Sequence, residues 1–209
     1  MDKFTQVRQQ IRNYRTRHLR IPKAFRGSRA PYYRRGVLII PSLTLSTRGQ
    51  YDSAARKTTD KIITEALQLP ADCICFDLHE LVPAFDDFKN LARKQVISTF
   101  RNTNFGNRVR TLHCNPVRSP WFEDDIVEVV GQTGEQLDSV FISGCETGEE
   151  VRDVQTILRN VQHAAGRRNR IFLEVVIDSP RAFIEMEAMS IPLEDRLDST
   201  THRRIIILR

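Results

Sequence analysis

The sequence predicts an α/β protein in which parallel strands alternate with helices. Six short apolar runs have the length and composition of buried strands. Amphipathic segments separate them, and each strand with its following helix takes about thirty residues, the usual length of a right-handed βαβ unit. An open doubly wound sheet and a part of a (β/α)₈ barrel both satisfy this pattern.

The predicted elements follow one another in order along the chain. The strands are expected at 36–40, 73–76, 109–112, 139–142, 171–177 and 205–208, and the helices at 52–67, 86–100, 123–130, 149–165 and 180–189. Asp52 or Ser53 is the expected N-cap of the first helix. The polar segment 194–204 is predicted to be a loop, and whether residues 190–209 complete a sixth barrel strand stays open.

The composition is that of a globular domain. Of the 209 residues, 40% are hydrophobic and 28% are charged. The sequence has no run of eighteen apolar residues, so no membrane span is expected. The four cysteines (Cys73, Cys75, Cys114 and Cys145) are few and lie in apolar contexts, which favours a reducing compartment over a disulfide framework. Cys73 and Cys75 also lack the spacing of a zinc clip.

The positive charge is concentrated at the N-terminus. Residues 1–35 contain eleven Lys or Arg and one acidic residue, a net of +10, which leaves about −4 for residues 36–209. This division predicts a basic, arginine-rich N-terminal arm (1–35) and a separate barrel domain (36–209). Three interpretations of the arm stay open: a mitochondrial transit peptide, a segment that binds nucleic-acid phosphates, and a solvated tail.

The segment 71–83 is the strongest candidate for a functional site. Residues 73–76 form a continuous apolar run, as expected for a strand covered on both faces. Titratable residues follow at once, including His79 and Glu80. In open α/β sheets and in barrels, chemistry is placed at the carboxyl ends of the strands.

Several motifs follow one another along roughly residues 35–189. They are R-G-V-L-I-I-P at 35–41, A-D-C-I-C-F-D-L-H-E-L-V-P at 71–83, K-x-x-A-R at 89–93, N-P at 115–116, S-P-W at 119–121 and I-D-S at 177–179. In this order they resemble the β subunit of citrate lyase and its relatives, the malyl-CoA and citramalyl-CoA lyases and the HpcH/HpaI aldolases. The resemblance implies a TIM barrel, so the expected fold is an incomplete (β/α) barrel of about six strands.

The resemblance also implies an activity. The family cleaves or forms carbon–carbon bonds of acyl-CoA substrates while Mg²⁺, held by carboxylates, polarises a carbonyl group. The residues of this chain at the implied site are Arg35, His79, Glu80, His113 and Asp178. Of these, Arg35 matches the family pattern, and Glu80 and Asp178 are the remaining candidates for a metal ligand.

Five departures from the family pattern weaken that activity. His79-Glu80 replaces an acidic pair, His113 replaces an arginine, and Gly144 replaces a lysine. A neutral imidazole cannot bind a carboxylate in the bidentate manner of a guanidinium group. Asp178 is one methylene shorter than the expected glutamate, and the second metal ligand of the family, expected after the sixth strand, is not found before Arg209.

A new transition-metal site is an alternative use of the same residues. His79, Glu80, His113, Cys145 and Asp178 all lie near the carboxyl ends of predicted strands. Imidazole, thiolate and carboxylate groups are the ligands that zinc prefers. Loss of the ancestral ligands without any new metal produces the same mixture of residues.

The first functional hypothesis is a non-catalytic, citrate-lyase-like pseudo-enzyme. It would be a structural subunit of a large RNA-containing assembly in the mitochondrial matrix, such as a mitochondrial ribosome, with a cytoplasmic location as the alternative. Neighbouring proteins would cover the open edge of the barrel. No cofactor is expected. The arginines expected to contact RNA phosphates are Arg8, Arg12, Arg15, Arg20 and Arg26.

Two other hypotheses remain. One is a Mg²⁺-dependent acyl-CoA lyase or aldolase of the citrate, malyl-CoA or citramalyl-CoA type, completed by another subunit. The other is a protein-binding scaffold that contacts no nucleic acid.

Overall fold

A single parallel sheet forms the centre of the described structure. The computed structural model describes residues 36–190 and the backbone of residues 203–207. Arg35, the five arginines expected to contact RNA and most of the predicted loop 194–204 lie outside the described residues. The strands are β1 (Val37–Pro41), β2 (Cys73–Asp77), β3 (Val109–His113), β4 (Ser139–Ile142), β5 (Phe172–Ile177) and β6 (Arg203–Ile207).

The strands pair in sequence order, each parallel to the next. A sheet with this order, with helices in the connections between its strands, is the arrangement of a (β/α) barrel, because a doubly wound sheet reverses its strand order at a switch point. The predicted α/β fold, an incomplete TIM barrel of about six strands, is therefore confirmed.

The helices occupy the connections between strands. They are α1 (Ser53–Ala66), α2 (Asp86–Asn102), α3 (Phe122–Asp124), α4 (Gly148–Ala164), α5 (Pro180–Ile184) and α6 (Met186–Ser190). Asp52 caps α1 by accepting hydrogen bonds from the backbone N–H groups of Ala54 and Ala55, as predicted. Thr147 and Glu150 form a capping box at the start of α4. None of the described helices is long and apolar enough to cross a membrane.

Three details differ from the sequence prediction. The expected helix 123–130 is a short α-turn followed by a π-helix, Asp125–Val130, because the apolar pattern alone does not distinguish the two. The expected helix 180–189 is divided at Glu185 into α5 and α6. Strand β6 begins at Arg203, so the last two residues of the predicted loop belong to a strand, where pairing with β5 outweighs their polar character.

The two faces of the sheet bury different kinds of side chain. The outer face carries a large aliphatic and aromatic core that includes Ile74, Phe76 and Leu112. The inner face is lined by residues in register across neighbouring strands, and many of them are polar: Cys73, Cys75, Asp77, Thr111, His113, Ser139, Phe141, Glu174 and Val176. A short hydrogen-bonded chain joins Cys73, Thr111 and Ser139 on this face. The titratable groups of the site belong to the inner face.

Helix α4 begins against α6 with no room for a side chain at Gly148. A Cβ atom at this position would lie 2.7 Å from the carbonyl oxygen of Ala188. We expect Gly148→Ala to lower the free energy of unfolding by about 1–3 kcal/mol, the usual cost of overpacking. The melting temperature should fall by about 2–4 °C for each kcal/mol.

Gly131→Ala is the matched control for this substitution. Gly131 ends the π-helix with ordinary helical dihedral angles, and a Cβ atom there meets no neighbour within 4 Å. The same change should therefore leave the stability unchanged or raise it slightly. Equal melting temperatures for the two variants would contradict the close approach of α4 and α6.

Candidate functional site

The loop that follows β2 is fixed by the carboxylate of Asp77. Asp77 is the last residue of β2 and is 1% exposed. Its two oxygens accept hydrogen bonds from the backbone N–H groups of His79 (2.9 Å) and Leu81 (2.7 Å). The backbone N–H of Leu78 donates to the carbonyl of His113 on the next strand. The loop therefore turns sharply around one buried carboxylate.

Lys89 holds the same loop from the side of helix α2. Its Nζ donates hydrogen bonds to the backbone carbonyls of Leu78, His79 and Val82. The ammonium group also lies 5.3 Å from the centre of the Trp121 ring, within the range of a cation–π interaction. Burial lowers the pKa of Lys89, although the charges of nearby carboxylates oppose this effect. Lys89 is thus a structural group that uses all three of its protons on the loop.

Asp77 is also paired with His113, the last residue of β3. The two residues are direct neighbours in the parallel register, and their side chains share the inner face. His113 Nδ1 lies 3.0 Å from Asp77 Oδ1. Burial opposes ionisation of Asp77, but the hydrogen bonds from His113 and from the two loop amides hold the pKa of the carboxyl group below its ordinary value. The structure therefore forms a buried Asp–His pair.

His79 packs against this pair at the surface of the site. Its ring meets the ring of His113 edge to face, with the two centres 5.5 Å apart. Partial burial, and after it the neighbouring His113, lowers the pKa of His79. Glu80, the next residue, is exposed. The carboxyl end of β2 therefore presents one half-buried imidazole and one solvent-facing carboxylate.

The chain after β3 is anchored by a buried ionic cluster. Asp125, in the π-helix, accepts hydrogen bonds from the backbone N–H and the side-chain amide of Asn115 and pairs with Arg93 of α2. Arg93 also lies within ion-pair distance of Asp124 and Glu128. Burial raises the pKa of the Asp125 carboxyl group, and these donors oppose the rise. The K-x-x-A-R and N-P segments thus form a framework beneath the site.

The ends of β4 and β5 meet through Gly144 and Asp178. The backbone N–H of Gly144 donates to Asp178 Oδ2 at 3.0 Å. Gly144 has a positive φ of 75°, and a Cβ atom there would lie 3.1 Å from Pro116 Cβ. A lysine in this conformation would be strained, which accounts physically for glycine at the position. Asp178 itself is exposed.

The proposed five-residue transition-metal site does not form. Within residues 36–190, no three His, Cys, Asp or Glu side chains have the geometry of a metal site. His113 directs Nδ1 at Asp77, and Cys145 is fully buried. Burial raises the pKa of Cys145 to about 12, so the thiol remains protonated at neutral pH. Among the described residues, His79, Glu80, His113, Cys145 and Asp178 therefore do not form a zinc centre together, because His113 is paired with Asp77 and the Cys145 thiol is buried and protonated. All four cysteines are buried free thiols.

Sequence reasoning named His113 but missed its partner. In the sequence, Asp77 is only one residue of a longer motif. In the structure it is the last residue of β2, as His113 is of β3, and the two side chains lie on the same face of the sheet. Glu174, 1% exposed on the inner face of β5, was also missed, because it is an isolated acidic residue in an apolar run. An acidic residue inside an otherwise apolar strand was the available signal in both cases.

Replacing Asp77 should change how stability depends on pH. A carboxyl group whose pKa is lowered by folding contributes stability above its unfolded pKa of about 4, and this contribution is lost as the pH falls through the folded value. Asp77→Asn should cost about 3 kcal/mol at pH 7, and the difference from the wild type should shrink below about pH 4. Urea unfolding of both proteins between pH 3 and pH 8 measures this difference in the free energy of unfolding.

Asp153→Asn, the same change at an exposed position of α4, serves as the control. Its unfolding free energy should follow that of the wild type across the range. A constant difference between Asp77→Asn and the wild type at every pH would show that Asp77 is not ionised in the folded protein.

The comparisons with known proteins agree with this architecture. The L-malyl-CoA/beta-methylmalyl-CoA lyase of Rhodobacter capsulatus is 30% identical over 129 residues, which is 62% of this chain and 40% of that protein. The malyl-CoA/beta-methylmalyl-CoA/citramalyl-CoA lyase of Chloroflexus aurantiacus is 25% identical over 119 residues, 57% of this chain and 34% of that protein. The chain thus spans well under half the length of these relatives.

A solved structure supports the same fold. A citrate lyase from Burkholderia xenovorans superimposes with a TM-score of 0.57 and 8% identity, covering 75% of this chain and 45% of that one. The sequence profile of the HpcH/HpaI aldolase/citrate lyase family matches residues 55–199, which include β2 to β5 and the framework built on Lys89, Arg93 and Asn115. The chain therefore belongs to the HpcH/HpaI aldolase/citrate lyase family.

Proposed function

We propose that the chain is the site-bearing part of an acyl-CoA carbon–carbon lyase of the malyl-CoA type. The observation that carries the proposal is the convergence of Asp77, His79, Glu80 and His113 at the carboxyl ends of β2 and β3. The buried framework of Lys89 and Asp125 holds these ends in place. Relatives whose names specify malyl-CoA lyase activity support the substrate class.

The carboxylates of this edge fit a magnesium ion that uses few protein ligands. Mg²⁺ commonly takes one or two carboxylates and completes its octahedral shell with water and substrate oxygens. Glu80 and Asp178 are exposed carboxylates at the ends of β2 and β5, and only one oxygen of Asp178 accepts the Gly144 amide. These two residues would hold the ion. When bound, it would polarise a substrate carbonyl group.

The remaining residues position the substrate and keep the site rigid. Lys89 has no proton left for a substrate, since its three protons are directed at backbone carbonyls. Arg93 is likewise occupied by Asp125. The positive charges near the site therefore fix the loops, and recognition of the acyl group falls to the edge residues themselves and to another subunit.

A cleavage assay tests this function. The full chain, purified with its native partners, should release acetyl-CoA and glyoxylate from malyl-CoA when Mg²⁺ is present, and a chelator should abolish the release. Asp178→Ala and Glu80→Ala should each lower kcat/KM by tenfold or more, as expected for the loss of a metal ligand or a comparable electrostatic group. Asp153→Ala is the matched control, and an intact native complex that releases no product would refute the proposal.

A structural role on RNA is the second candidate, and the charge of residues 1–35 favours it. A net charge of +10 in 35 residues suits the phosphate backbone of a nucleic acid. The assembly would be a ribonucleoprotein such as a mitochondrial ribosome, with Arg8, Arg12, Arg15, Arg20 and Arg26 contacting phosphates. The same composition is the support for a location in the mitochondrial matrix.

Replacing these five arginines by alanine should weaken RNA binding and reduce its dependence on salt concentration. For every phosphate that the arm no longer neutralises, the slope of log K against log salt should fall by about 0.7–0.9. Filter binding with a single-stranded RNA at several salt concentrations measures both. The control makes the same charge change at five exposed positions of the barrel domain: Arg48, Arg56, Lys57, Arg159 and Arg168. An equal decrease of affinity in both variants would indicate a non-specific effect of net charge.

A further inference from the structure

One nitrogen atom of the Asp77–His113 pair has no hydrogen-bond partner. His113 Nδ1 is directed at Asp77, whereas Nε2 is buried and makes no hydrogen bond within the described structure. An unsatisfied buried polar atom costs about 1–3 kcal/mol, so such atoms normally mark the place of a water molecule or a ligand. The side chain of His113 is 7% exposed, and the half-buried ring of His79 packs against it.

The pair has the arrangement of a proton-accepting dyad. Asp77 fixes the imidazole through the Nδ1–H bond, so the neutral ring carries its lone pair on Nε2. The carboxylate also stabilises the imidazolium ion that would form on protonation. Asp77 is itself held by the amides of His79 and Leu81, so the orientation of the ring is determined by the loop after β2.

The protein surroundings of His113 leave Nε2 without a hydrogen-bond partner. Phe141 on the neighbouring strand meets the ring of His113 with the centres 6.3 Å apart and supplies no hydrogen-bonding group. A buried imidazole normally directs both of its nitrogens at hydrogen-bonding groups. Here Nδ1 is oriented by Asp77 and the buried Nε2 has no protein partner, on the inner face and near the edge where substrates of barrel enzymes bind.

We propose that His113 Nε2 binds the hydroxyl group of a 3-hydroxyacyl thioester and accepts its proton. The inference rests on the function proposed above and adds a catalytic residue to it. The hydroxyl proton moves to Nε2, the C3–O bond becomes a carbonyl, and the C2–C3 bond breaks. The electron pair of that bond forms the thioester enolate, and the imidazolium ion then returns the proton to C2. No oxidant or further reactant is needed.

The test uses a substitution that removes Nε2 of His113 but keeps a hydrogen-bond donor at the position of Nδ1. His113→Asn places an amide N–H where Nδ1–H lies, so it retains a donor for Asp77 and removes Nε2. With malyl-CoA as the probe, this variant should lose about 100-fold or more in kcat, the usual contribution of a general base, with little change in KM. His163→Asn, the same change at an exposed position of α4, is the control and should behave as the wild type.

A second readout does not depend on cleavage. In protein labelled with ¹⁵N-histidine, the His113 signals, assigned by their loss in His113→Asn, should report the Nδ1–H tautomer. Saturating malyl-CoA should shift the Nε2 resonance.

The outcomes distinguish this inference from the proposed function. If the wild type and His113→Asn cleave malyl-CoA at equal rates, the lyase function stands and the role of His113 is wrong. If the wild type binds malyl-CoA without cleaving it, the lyase function fails, and a shifted Nε2 resonance still supports the hydroxyl site. An Nε2 resonance unmoved by bound malyl-CoA, or an Nε2–H tautomer, overturns the site in either case.

Discussion

The structure of the carboxyl edge of the sheet depends on a set of buried charged groups whose hydrogen bonds and ion pairs are formed within the protein. Lys89 and Arg93 are each 1% exposed, and Asp125 is fully buried. Removing such groups from water costs several kcal/mol per ion, which is recovered only when the hydrogen-bond geometry is good. Lys89 meets three carbonyls, and Asp125 meets an amide, a backbone N–H and a guanidinium group. A substitution that removes one of these groups would leave its partner buried and unpaired, which would strongly destabilise the folded protein.

This requirement separates the residues that shape the site from those that can act in it. The framework residues lie on α2, the π-helix and the loop after β3, beneath the edge, and their charged groups are paired with protein atoms. His113, Glu80 and Asp178 follow or end β3, β2 and β5 and retain atoms without a protein partner. Substitutions of Glu80 and Asp178, which are exposed, would alter the chemistry without disturbing the buried charges. A family member can therefore keep its fold while the reacting groups change.

Much of the fold could be predicted from the sequence, because apolar strands and amphipathic helices leave periodic signals. The run Cys73–Phe76 and the helix Gly148–Ala164 are examples, and their bounds agree with prediction within a few residues. The π-helix and the break at Glu185 could not be predicted, since they depend on backbone hydrogen bonding that leaves no such signal. For the site, the predicted strand order was enough to place His79, Glu80, His113 and Asp178 at one edge. The pairing of His113 with Asp77, which removes His113 from the predicted metal site, depends on the register between β2 and β3 and could not be predicted.

The family resemblance implies an arginine where this chain has His113, and the two side chains differ in more than charge. An arginine would bring a permanent cation with several donors to the buried carboxylate of Asp77, whereas His113 directs one nitrogen at Asp77 and leaves the other without a protein partner. Burial of the Asp77 carboxylate would be costly without compensation, and the hydrogen bonds from His113 and from the loop amides of His79 and Leu81 supply it. The turn after β2 therefore helps to hold Asp77 in its ionised form and fixes the carboxylate that orients His113, so the shape of one loop affects the chemistry available to the strand beside it.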